Sequence, residues 1–253
     1  MIPSYKTHYA LSIAGSDPSG GAGIQCDLKT FMGLHVYGMA IPTLLTVQNT
    51  KSISSVHHLH DSLIGEQIEH LLDDITPHAI KIGAIGNAKQ ARAIVDALQT
   101  LTCPIVWDPV LVSSSGTALL TPSDIKTVCQ LFKPLVSLAT PNHQEVAYLK
   151  DFPNVLLTNG ETDTSSIITD ILRIANQEYR FTHPRFDTQN THGTGCTLSS
   201  AITAFLAKGY DIRNASAEGI RYCLHLLSQS NRFALGHGRG GLGHEFSSVS
   251  FPK

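Results

Sequence analysis

The residues best suited to chemistry lie in a glycine-rich segment, residues 190–197 (NTHGTGCT). Its glycines let successive backbone N–H groups converge, and a helix predicted from Thr194 adds a partial positive charge at its N-terminus. Such a helix start suits a phosphoryl group in transfer. Cys196 lies in the same first turn, where the helix field lowers the pKa of a thiol and makes it a better base or nucleophile. Gly193, Gly195 and Cys196 are therefore candidate catalytic residues, against the alternative of a capped helix with an inert cysteine.

A second glycine-rich segment, residues 15–23 (GSDPSGGAG), follows the first apolar run of the chain. Glycine allows tight turns and a close approach of the backbone to a ligand. The segment fits neither GxGxxG in frame nor the P-loop pattern GxxxxGK[ST]. On these residues alone, a binding loop and a simple chain reversal remain alternatives.

A third candidate segment, residues 139–145 (ATPNHQE), combines an amide with a carboxylate. Asn142 with Glu145 three residues later is typical of a capping box, so a purely structural role is one interpretation. The functional interpretation adds Asp108, which follows the apolar run 105–107. Oxygen ligands of this kind suit Mg²⁺, often through water. Asp108 and Glu145 are thus candidate metal ligands beside a bound phosphate.

The elements that position these segments alternate between short apolar runs and helical periodicity. This alternation predicts an α/β fold with a parallel sheet that helices cover on both faces. In such sheets ligands bind at the carboxyl ends of the strands, which is where Asp108 falls. The predicted strands are residues 9–14, 39–47, 79–82, 104–107, 135–138 and 155–157, and the predicted helices are 22–34, 62–74, 89–101 and 123–131.

The C-terminal part follows another pattern. Residues 194–208 and 213–233 predict two long helices that pack together, and residues 165–172 with 178–183 favour a β-hairpin. A helix is also predicted to start at Asn142. Since no repeat or linker interrupts the chain, residues 1–253 are predicted to form a single domain.

Composition excludes several classes of protein. With a net charge of -2 and a pI near 6.7, the chain lacks the basic character typical of nucleic-acid binding. The five cysteines are widely spaced without CxxC, which favours a reducing compartment over disulfides or a zinc site. No stretch reaches the ~18 apolar residues of a membrane span. We therefore expect a cytoplasmic protein with neither nucleic acid nor membrane as partner.

Taken together, the motifs resemble those of the hydroxymethylpyrimidine and phosphomethylpyrimidine kinases of thiamin biosynthesis. The resemblance spans most of the chain, and its first and last long motifs are the most specific. It implies a ribokinase-like three-layer fold with a mostly parallel central sheet, ATP and Mg²⁺ as cofactors, and a homodimer. The matching segments are residues 14–25 (AGSDPSGGAGIQ), 27–30 (DLKT), 45–50 (LTVQNT), 81–83 (KIG), 108–110 (DPV), 140–142 (TPN) with Glu145, 192–199 (HGTGCTLS) and 236–238 (GHG).

The resemblance also implies individual roles. It assigns the aminopyrimidine ring to Gly15, Ala22, Asp27 and Gln48. It places Mg²⁺ at Asp108 and Glu145, and the nucleotide at Asn142, Thr158 and Thr194. It makes Gly193 and Gly195 an anion hole and Cys196 the base. The roles agree with phosphoryl transfer, which needs positioning, charge neutralisation and a base near the attacking hydroxyl.

Three departures from the family pattern affect the nucleotide side. Ser114 stands where the family carries a lysine, and Thr158 begins a Thr-Asn-Gly where the family has Lys-Gly-Gly. A helix is also missing between Glu145 and the strand at Val155. These losses leave two alternatives open: a pyridoxal-type kinase on the same fold, and a non-catalytic pyrimidine-binding regulatory protein.

Overall fold

Nine strands of the described residues form one sheet, in the order β3-β2-β1-β4-β5-β6-β7-β8-β9. The computed structural model describes residues 7–111, 120–162 and 166–246. The strands are β1 (Tyr9–Ser16), β2 (Tyr37–Gln48), β3 (Ile53–His58), β4 (Ala79–Ile82), β5 (Ile105–Trp107), β6 (Leu138–Ala139), β7 (Asn154–Thr162), β8 (Ile167–Ile174) and β9 (Gln177–Pro184).

The middle of the sheet is parallel and its two margins are antiparallel. From β2 through β1, β4, β5 and β6 to β7 each neighbouring pair is parallel. At the margins β3 pairs antiparallel with β2, and β8 and β9 form an antiparallel hairpin beside β7. The hairpin predicted from residues 165–172 and 178–183 is confirmed.

Helices cover both faces of the sheet and give three layers. They are α1 (Gly23–Gly33), α2 (Asp61–Leu72), α3 (Ala88–Leu98), α4 (Pro122–Phe132), α5 (Thr194–Ala207) and α6 (Ile212–Gln229). Side chains of α2, α3 and α4 belong to one apolar core, and those of α1, α5 and α6 belong to the other. The alternation of the strands explains the division, because Ile80 and Ile82 enter the first core and Ala79 the second.

The two C-terminal helices pack together as predicted. Leu198 and Ile202 of α5 share a core with Ile220 and Tyr222 of α6. At Gly219 the helices approach so closely that a Cβ there would lie 2.6 Å from Cγ1 of Ile202. Asp211 caps α6 by accepting a hydrogen bond from the backbone N–H of Asn214 at 2.8 Å.

The helix predicted to start at Asn142 is wrong. The segment instead forms a turn, followed by a short 3₁₀ helix at Val146–Tyr148. The turn has the reciprocal hydrogen bonds of a capping box: Asn142 Oδ1 accepts from the Glu145 N–H at 3.2 Å, and Glu145 Oε2 accepts from the Asn142 N–H at 2.9 Å. Residues 149–153 then continue to β7 in turns and irregular structure.

Some sequence predictions stay untested. Ser114 lies outside the described residues, and the assignment of residues 1–253 to one domain remains a prediction. Among the described residues, no helix has both the length and the apolar character that crossing a membrane requires.

Candidate active site

A cavity of about 280 Å³ opens at the carboxyl edge of β1, β4 and β5. Its position agrees with the general location of ligand sites in parallel sheets. It brings together every predicted site residue except Asp27, namely Gly15, Ala22, Gln48, Asp108, Asn142, Glu145, Thr158, Gly193, Thr194, Gly195 and Cys196. We call this cavity the acceptor cavity.

The N-terminus of α5 forms one wall of the acceptor cavity. Gly193 is the residue before the helix and has a left-handed φ of 78°. A Cβ at Gly193 would lie 1.8 Å from the carbonyl oxygen of Gly21, so a side chain cannot fit there. Gly195 is different, because its backbone is helical and the atoms nearest to a Cβ there would be the Asp108 carboxylate oxygens at 3.9 Å. The helix start thus leaves open space beside Gly195, next to the first-turn N–H groups of α5, as an anion site requires.

A second cavity, of about 390 Å³, lies on the other side of the α5 N-terminus. It extends between the β8–β9 hairpin and α6, where Ile168 and Leu224 contribute to its wall. We call it the distal cavity. Thr194, Gly195, Asn142, Thr158 and Thr191 line both cavities. The start of α5 therefore lies where the two cavities meet.

Thr158, which is predicted to contact the nucleotide, lies at the boundary between the two cavities. Its backbone N–H donates to the carbonyl oxygen of Pro141 at 3.0 Å, and its Oγ1 lies 3.4 Å from the same oxygen. These contacts hold β7 beside the turn that carries Asn142. A hydroxyl, unlike a lysine, brings no positive charge to a bound phosphate.

Two buried carboxylates face the acceptor cavity, as the sequence predicts for a metal site. Asp108 continues the β5 ladder with a 2.8 Å hydrogen bond from its N–H to the Ile82 carbonyl oxygen. Its Oδ2 accepts from Ser199 Oγ at 3.2 Å. Burial raises the pKa of Asp108, while the Lys81 charge opposes the rise. Burial, together with the Asp108 charge, raises the pKa of Glu145 to about 7.

These carboxylates fit a divalent cation. Both are costly to ionise because they are buried near each other, and a cation between them would remove that cost. In the described part of the chain, no group of three or more His, Cys, Asp and Glu side chains could hold a metal ion. Two carboxylates completed by phosphate oxygens and water are the usual protein environment of Mg²⁺ in phosphoryl-transfer sites.

Cys196 lies in the first turn of α5, but its pKa does not follow the expectation from the sequence. Burial raises the pKa of the thiol well above its ordinary value. The Lys81 charge lowers it, whereas Asp108 and Asp27 raise it further. The expected lowering by the helix terminus is therefore wrong, and the thiol of the ligand-free protein is protonated near neutral pH.

Asp27, which the resemblance assigns to the ring, does not line the acceptor cavity, and its role in binding the ring stays a prediction. Both carboxylate oxygens lie 2.9 Å from Lys81 Nζ in a fully buried ion pair. They also accept from Ser12 Oγ at 2.5 Å and from Ser200 Oγ at 2.7 Å. These four contacts hold the Asp27 carboxylate in one position.

Lys81 is a site residue that the sequence reasoning missed. It lines the acceptor cavity although it is completely buried. Burial lowers the pKa of its amine, but Asp27 more than compensates, with smaller contributions from Cys196 and Asp108, and the net shift is upward. Lys81 thus supplies a fixed positive charge beside Cys196 and Asp108. A charged residue within the apolar run 79–82 was the available signal, because a buried lysine requires an acidic partner.

Asp17 and His192 were also missed as members of the cavity wall, although both lie in the glycine-rich motifs. His192 Nε2 lies 2.8 Å from Asp17 Oδ2 and 3.2 Å from the Gln48 carboxamide. Burial would raise the pKa of Asp17, but hydrogen bonds from His192 and Ser19 outweigh it and lower the pKa. The two motifs therefore meet through an ionised carboxylate and a histidine ring.

Comparison with known proteins agrees with this geometry. The family model described as phosphomethylpyrimidine kinase matches residues 17–154 and 150–243. Hydroxymethylpyrimidine/phosphomethylpyrimidine kinase of Escherichia coli (strain K12) is 36% identical over 93% of this chain and 96% of its own length. The enzyme of the same name from Rhizobium meliloti (strain 1021) is 35% identical over 94% of this chain and 97% of its own length.

Solved structures give the same result for the fold. The crystal structure of phosphomethylpyrimidine kinase from Clostridium difficile 630 superposes with a TM-score of 0.73 at 35% identity, covering 87% of this chain and 99% of its own. An ADP complex of Bacillus subtilis pyridoxal kinase superposes with a TM-score of 0.85 at 28% identity, covering 94% of this chain and 98% of its own. The ribokinase-like fold and the phosphotransferase activity expected from the sequence are confirmed, and the chain belongs to the phosphomethylpyrimidine kinase family.

Proposed function

We propose that this protein uses ATP to phosphorylate 4-amino-5-hydroxymethyl-2-methylpyrimidine, its monophosphate, or both. The observation that carries the proposal is the meeting of two cavities at the N-terminus of α5. The acceptor cavity would hold the pyrimidine, and the distal cavity would hold the nucleotide. A phosphoryl group passing between them would cross the backbone at Thr194 and Gly195, in the first turn of α5.

The proposed roles follow from where each side chain lies. Gly15, Ala22 and Gln48 would bind the ring, since they line the part of the acceptor cavity formed by β1, α1 and β2. Thr194, with the N–H groups after Gly193, would hold the transferring phosphoryl oxygens. Asn142 and Thr158 would orient the nucleotide phosphates from the boundary between the cavities.

Asp108 and Glu145 would hold Mg²⁺. The ion, when bound, would neutralise phosphate charge. Without the ion, the two negatively charged carboxylates would repel the phosphates. With the ion bound, that repulsion would be offset. Lys81, which is fixed by Asp27, would add positive charge from beneath the cavity.

Cys196 would accept the proton of the substrate hydroxyl. Its raised pKa means that the thiolate is a minor form near neutral pH, so proton acceptance would be favoured as the pH rises. Phosphoryl transfer with a loose transition state needs little base assistance until late in the reaction, so a small thiolate fraction is compatible with turnover.

The nucleotide side is proposed to be the weaker half of the site. Thr158 supplies a hydroxyl where relatives carry a lysine, and Ser114 is a similar replacement in the sequence. A charge-assisted hydrogen bond to phosphate contributes about 1.5–3 kcal/mol, of which a neutral hydroxyl recovers only part. Mg²⁺ and the α5 terminus would compensate in part.

A pyridoxal-type kinase is the second candidate, and the similarity to the pyridoxal kinase of Bacillus subtilis favours it. Incubation with Mg-ATP and one acceptor at a time, with product mass read directly, separates the two. We expect a mass gain of one phosphate on hydroxymethylpyrimidine or its monophosphate, and much slower gain on pyridoxal. Preferential phosphorylation of pyridoxal would support the second candidate, and binding of pyrimidine without any product would support a regulatory protein.

We further propose that the protein acts in the cytoplasm as a homodimer. Its cysteines are all free thiols in the described residues, as expected in a reducing compartment. The dimer rests on the family resemblance.

A further inference from the structure

His192 is held in one orientation at the junction of the two glycine-rich motifs. Its backbone N–H donates to the Gly240 carbonyl oxygen at 3.0 Å. Its ring packs so tightly on Gly21 that a Cβ there would lie 2.5 Å from the ring atom Cδ2. The ring therefore presents the same atom, Nε2, to both Asp17 and Gln48.

Asp17 determines the protonation of that atom. Its carboxylate accepts from the Ser19 N–H at 2.8 Å, Ser19 Oγ at 2.7 Å and the Ala22 N–H at 2.9 Å. A carboxylate with these donors is ionised, and an ionised carboxylate only accepts hydrogen bonds. At 2.8 Å from its Oδ2, His192 Nε2 must therefore carry a hydrogen. This holds for the neutral ring and for the imidazolium alike.

The protonated Nε2 in turn restricts Gln48. One of the two polar atoms of the Gln48 carboxamide lies 3.2 Å from the same histidine nitrogen. If this atom were the nitrogen of the NH₂ group, it and the protonated His192 Nε2 would be two hydrogen-bond donors facing each other without an acceptor between them. The nitrogen and oxygen of a carboxamide have nearly the same shape, so their hydrogen-bond partners decide which is which. The end toward His192 is therefore the oxygen, which leaves the NH₂ group as the end available to a ligand in the acceptor cavity that Gln48 lines.

We propose that His192 is a positioning residue that sets the ring specificity of the site, by holding Gln48 with its NH₂ group toward the substrate. The acceptor cavity would then select rings that present an unprotonated nitrogen as hydrogen-bond acceptor. This inference rests on the proposed function, because it concerns the ring of the same substrate. Asp17 acts one step further away, through His192.

The first test needs no ligand. In ligand-free protein with ¹⁵N-labelled histidine, a long-range ¹H–¹⁵N spectrum assigns the protonated ring nitrogen of His192. We expect a protonated Nε2 throughout the range in which the protein is folded and Asp17 is ionised. An unprotonated Nε2 would overturn the proposal whatever the protein binds.

The second test measures ring selection by calorimetry. The ligands are hydroxymethylpyrimidine and its two deaza analogues, in which C–H replaces one ring nitrogen at a time. Wild type should bind one analogue roughly 5- to 150-fold more weakly than the parent, because the NH₂ donor loses its acceptor. Gln48→Glu keeps an acceptor for His192 but removes the donor, so it should reduce this ratio to within about twofold. Gln99→Glu, an exposed control on another face, should keep the wild-type ratio.

His192→Leu then separates positioning from mere structural support. It frees the Gln48 amide to rotate, so the ratio between parent and analogue should fall several-fold while affinity for the analogue changes little. The proposal would be overturned if the ratio of the affinities for parent and analogue were unchanged in His192→Leu. If His192→Leu does not fold, an unchanged ratio in Gln48→Glu would overturn it. If wild type binds none of the three ligands, the proposed function is overturned, and the ring selection with it. This holds even if the first test finds His192 Nε2 protonated.

Discussion

Two glycines at the start of α5 are required for different reasons. Gly193 is needed for folding, because its φ is left-handed and a Cβ would collide with the backbone of Gly21. Gly195 has room for a methyl group, and that methyl would project toward Asp108 and the place proposed for the phosphoryl group. The two positions make a matched pair of substitutions.

We expect Gly193→Ala to lose roughly 1–3 kcal/mol of folding stability or more. We expect Gly195→Ala to gain about 0.5–1 kcal/mol, because alanine is the better helix former. Turnover of Gly195→Ala should nevertheless fall by roughly 10²-fold, since the reacting groups would be displaced. Urea unfolding and steady-state kinetics measure both effects. A fully active Gly195→Ala would show that no ligand group approaches this residue.

Cys196 is expected to give the reaction its dependence on pH. Because burial raises the pKa of the thiol, the thiolate fraction and the rate should increase together as the pH rises from 7 to 9. Cys196→Ala should lower turnover by roughly 10²–10⁴-fold and remove this increase. Affinity for the pyrimidine should change little. A variant that keeps wild-type turnover and the same pH profile would exclude Cys196 as the base.

At the scale of residues, the sequence predicted which side chains line the cavity better than it predicted their charges. Glycines, Asn142 and Thr158 could be assigned from motifs, since each motif is a continuous segment. The pair of Asp27 with Lys81 joins α1 to β4, residues 54 positions apart. A single sequence can indicate that Lys81 needs an acidic partner, but it does not indicate which acidic residue that is. The raised pKa of Cys196 could not be predicted for the same reason, because it depends on burial and on neighbours from three other elements.

At the scale of elements, the turn from Asn142 to Glu145 carries a carboxylate that is costly to ionise. The folded state raises the pKa of Glu145 from 4.5 to about 7, so it binds the proton more tightly than the unfolded chain does. Stability contributed by the protonated form is complete below pH 4.5 and is lost as the pH rises to about 7. Glu145→Gln should avoid this loss, because it cannot ionise and its amide oxygen can still accept from the Asn142 N–H.

Without Mg²⁺, the free energy of unfolding of Glu145→Gln should therefore increase relative to that of wild type as the pH rises from 4.5 to 8. The increase should be up to roughly 3 kcal/mol. Glu66→Gln, an exposed substitution on α2, should show no comparable shift. Addition of Mg²⁺ at pH 8 should stabilise wild type more than Glu145→Gln. A constant difference across this pH range would contradict the raised pKa.

The same turn shows why an element could be predicted wrongly. Asn142 and Glu145 have the spacing of a capping box, and that spacing is most often found at the start of a helix. Their reciprocal hydrogen bonds are present, but only a 3₁₀ helix follows before β7 begins. The spacing of Asn142 and Glu145 therefore predicted their hydrogen bonds correctly. It did not predict the length of the helix that follows, which depends on the connection to the next strand. The alternating strands and helices of the rest of the sheet were predictable, because hydrophobic periodicity continues over several residues in each of them.

At the scale of the whole molecule, the sheet order separates the two cavities proposed to bind the pyrimidine and the nucleotide. The acceptor cavity lies at the edge of β1, β4 and β5, and the distal cavity lies toward the β8–β9 hairpin. Helix α5 packs beneath both and directs its N-terminus to their common boundary. With this arrangement, the proposed pyrimidine side would stay complete although the family's lysines and one helix are missing on the proposed nucleotide side. The central claim is that both ligands bind at once and meet at Thr194 and Gly195.

A crystal structure with hydroxymethylpyrimidine, a non-hydrolysable ATP analogue and Mg²⁺ tests this claim most directly. We expect the ring beside Gln48, its hydroxymethyl oxygen toward Cys196, and the terminal phosphate within hydrogen-bond distance of the Thr194 or Gly195 N–H. The metal should contact Asp108, Glu145 or their bound waters. A nucleotide bound away from the distal cavity, or a hydroxymethyl group directed away from the α5 N-terminus, would contradict the account.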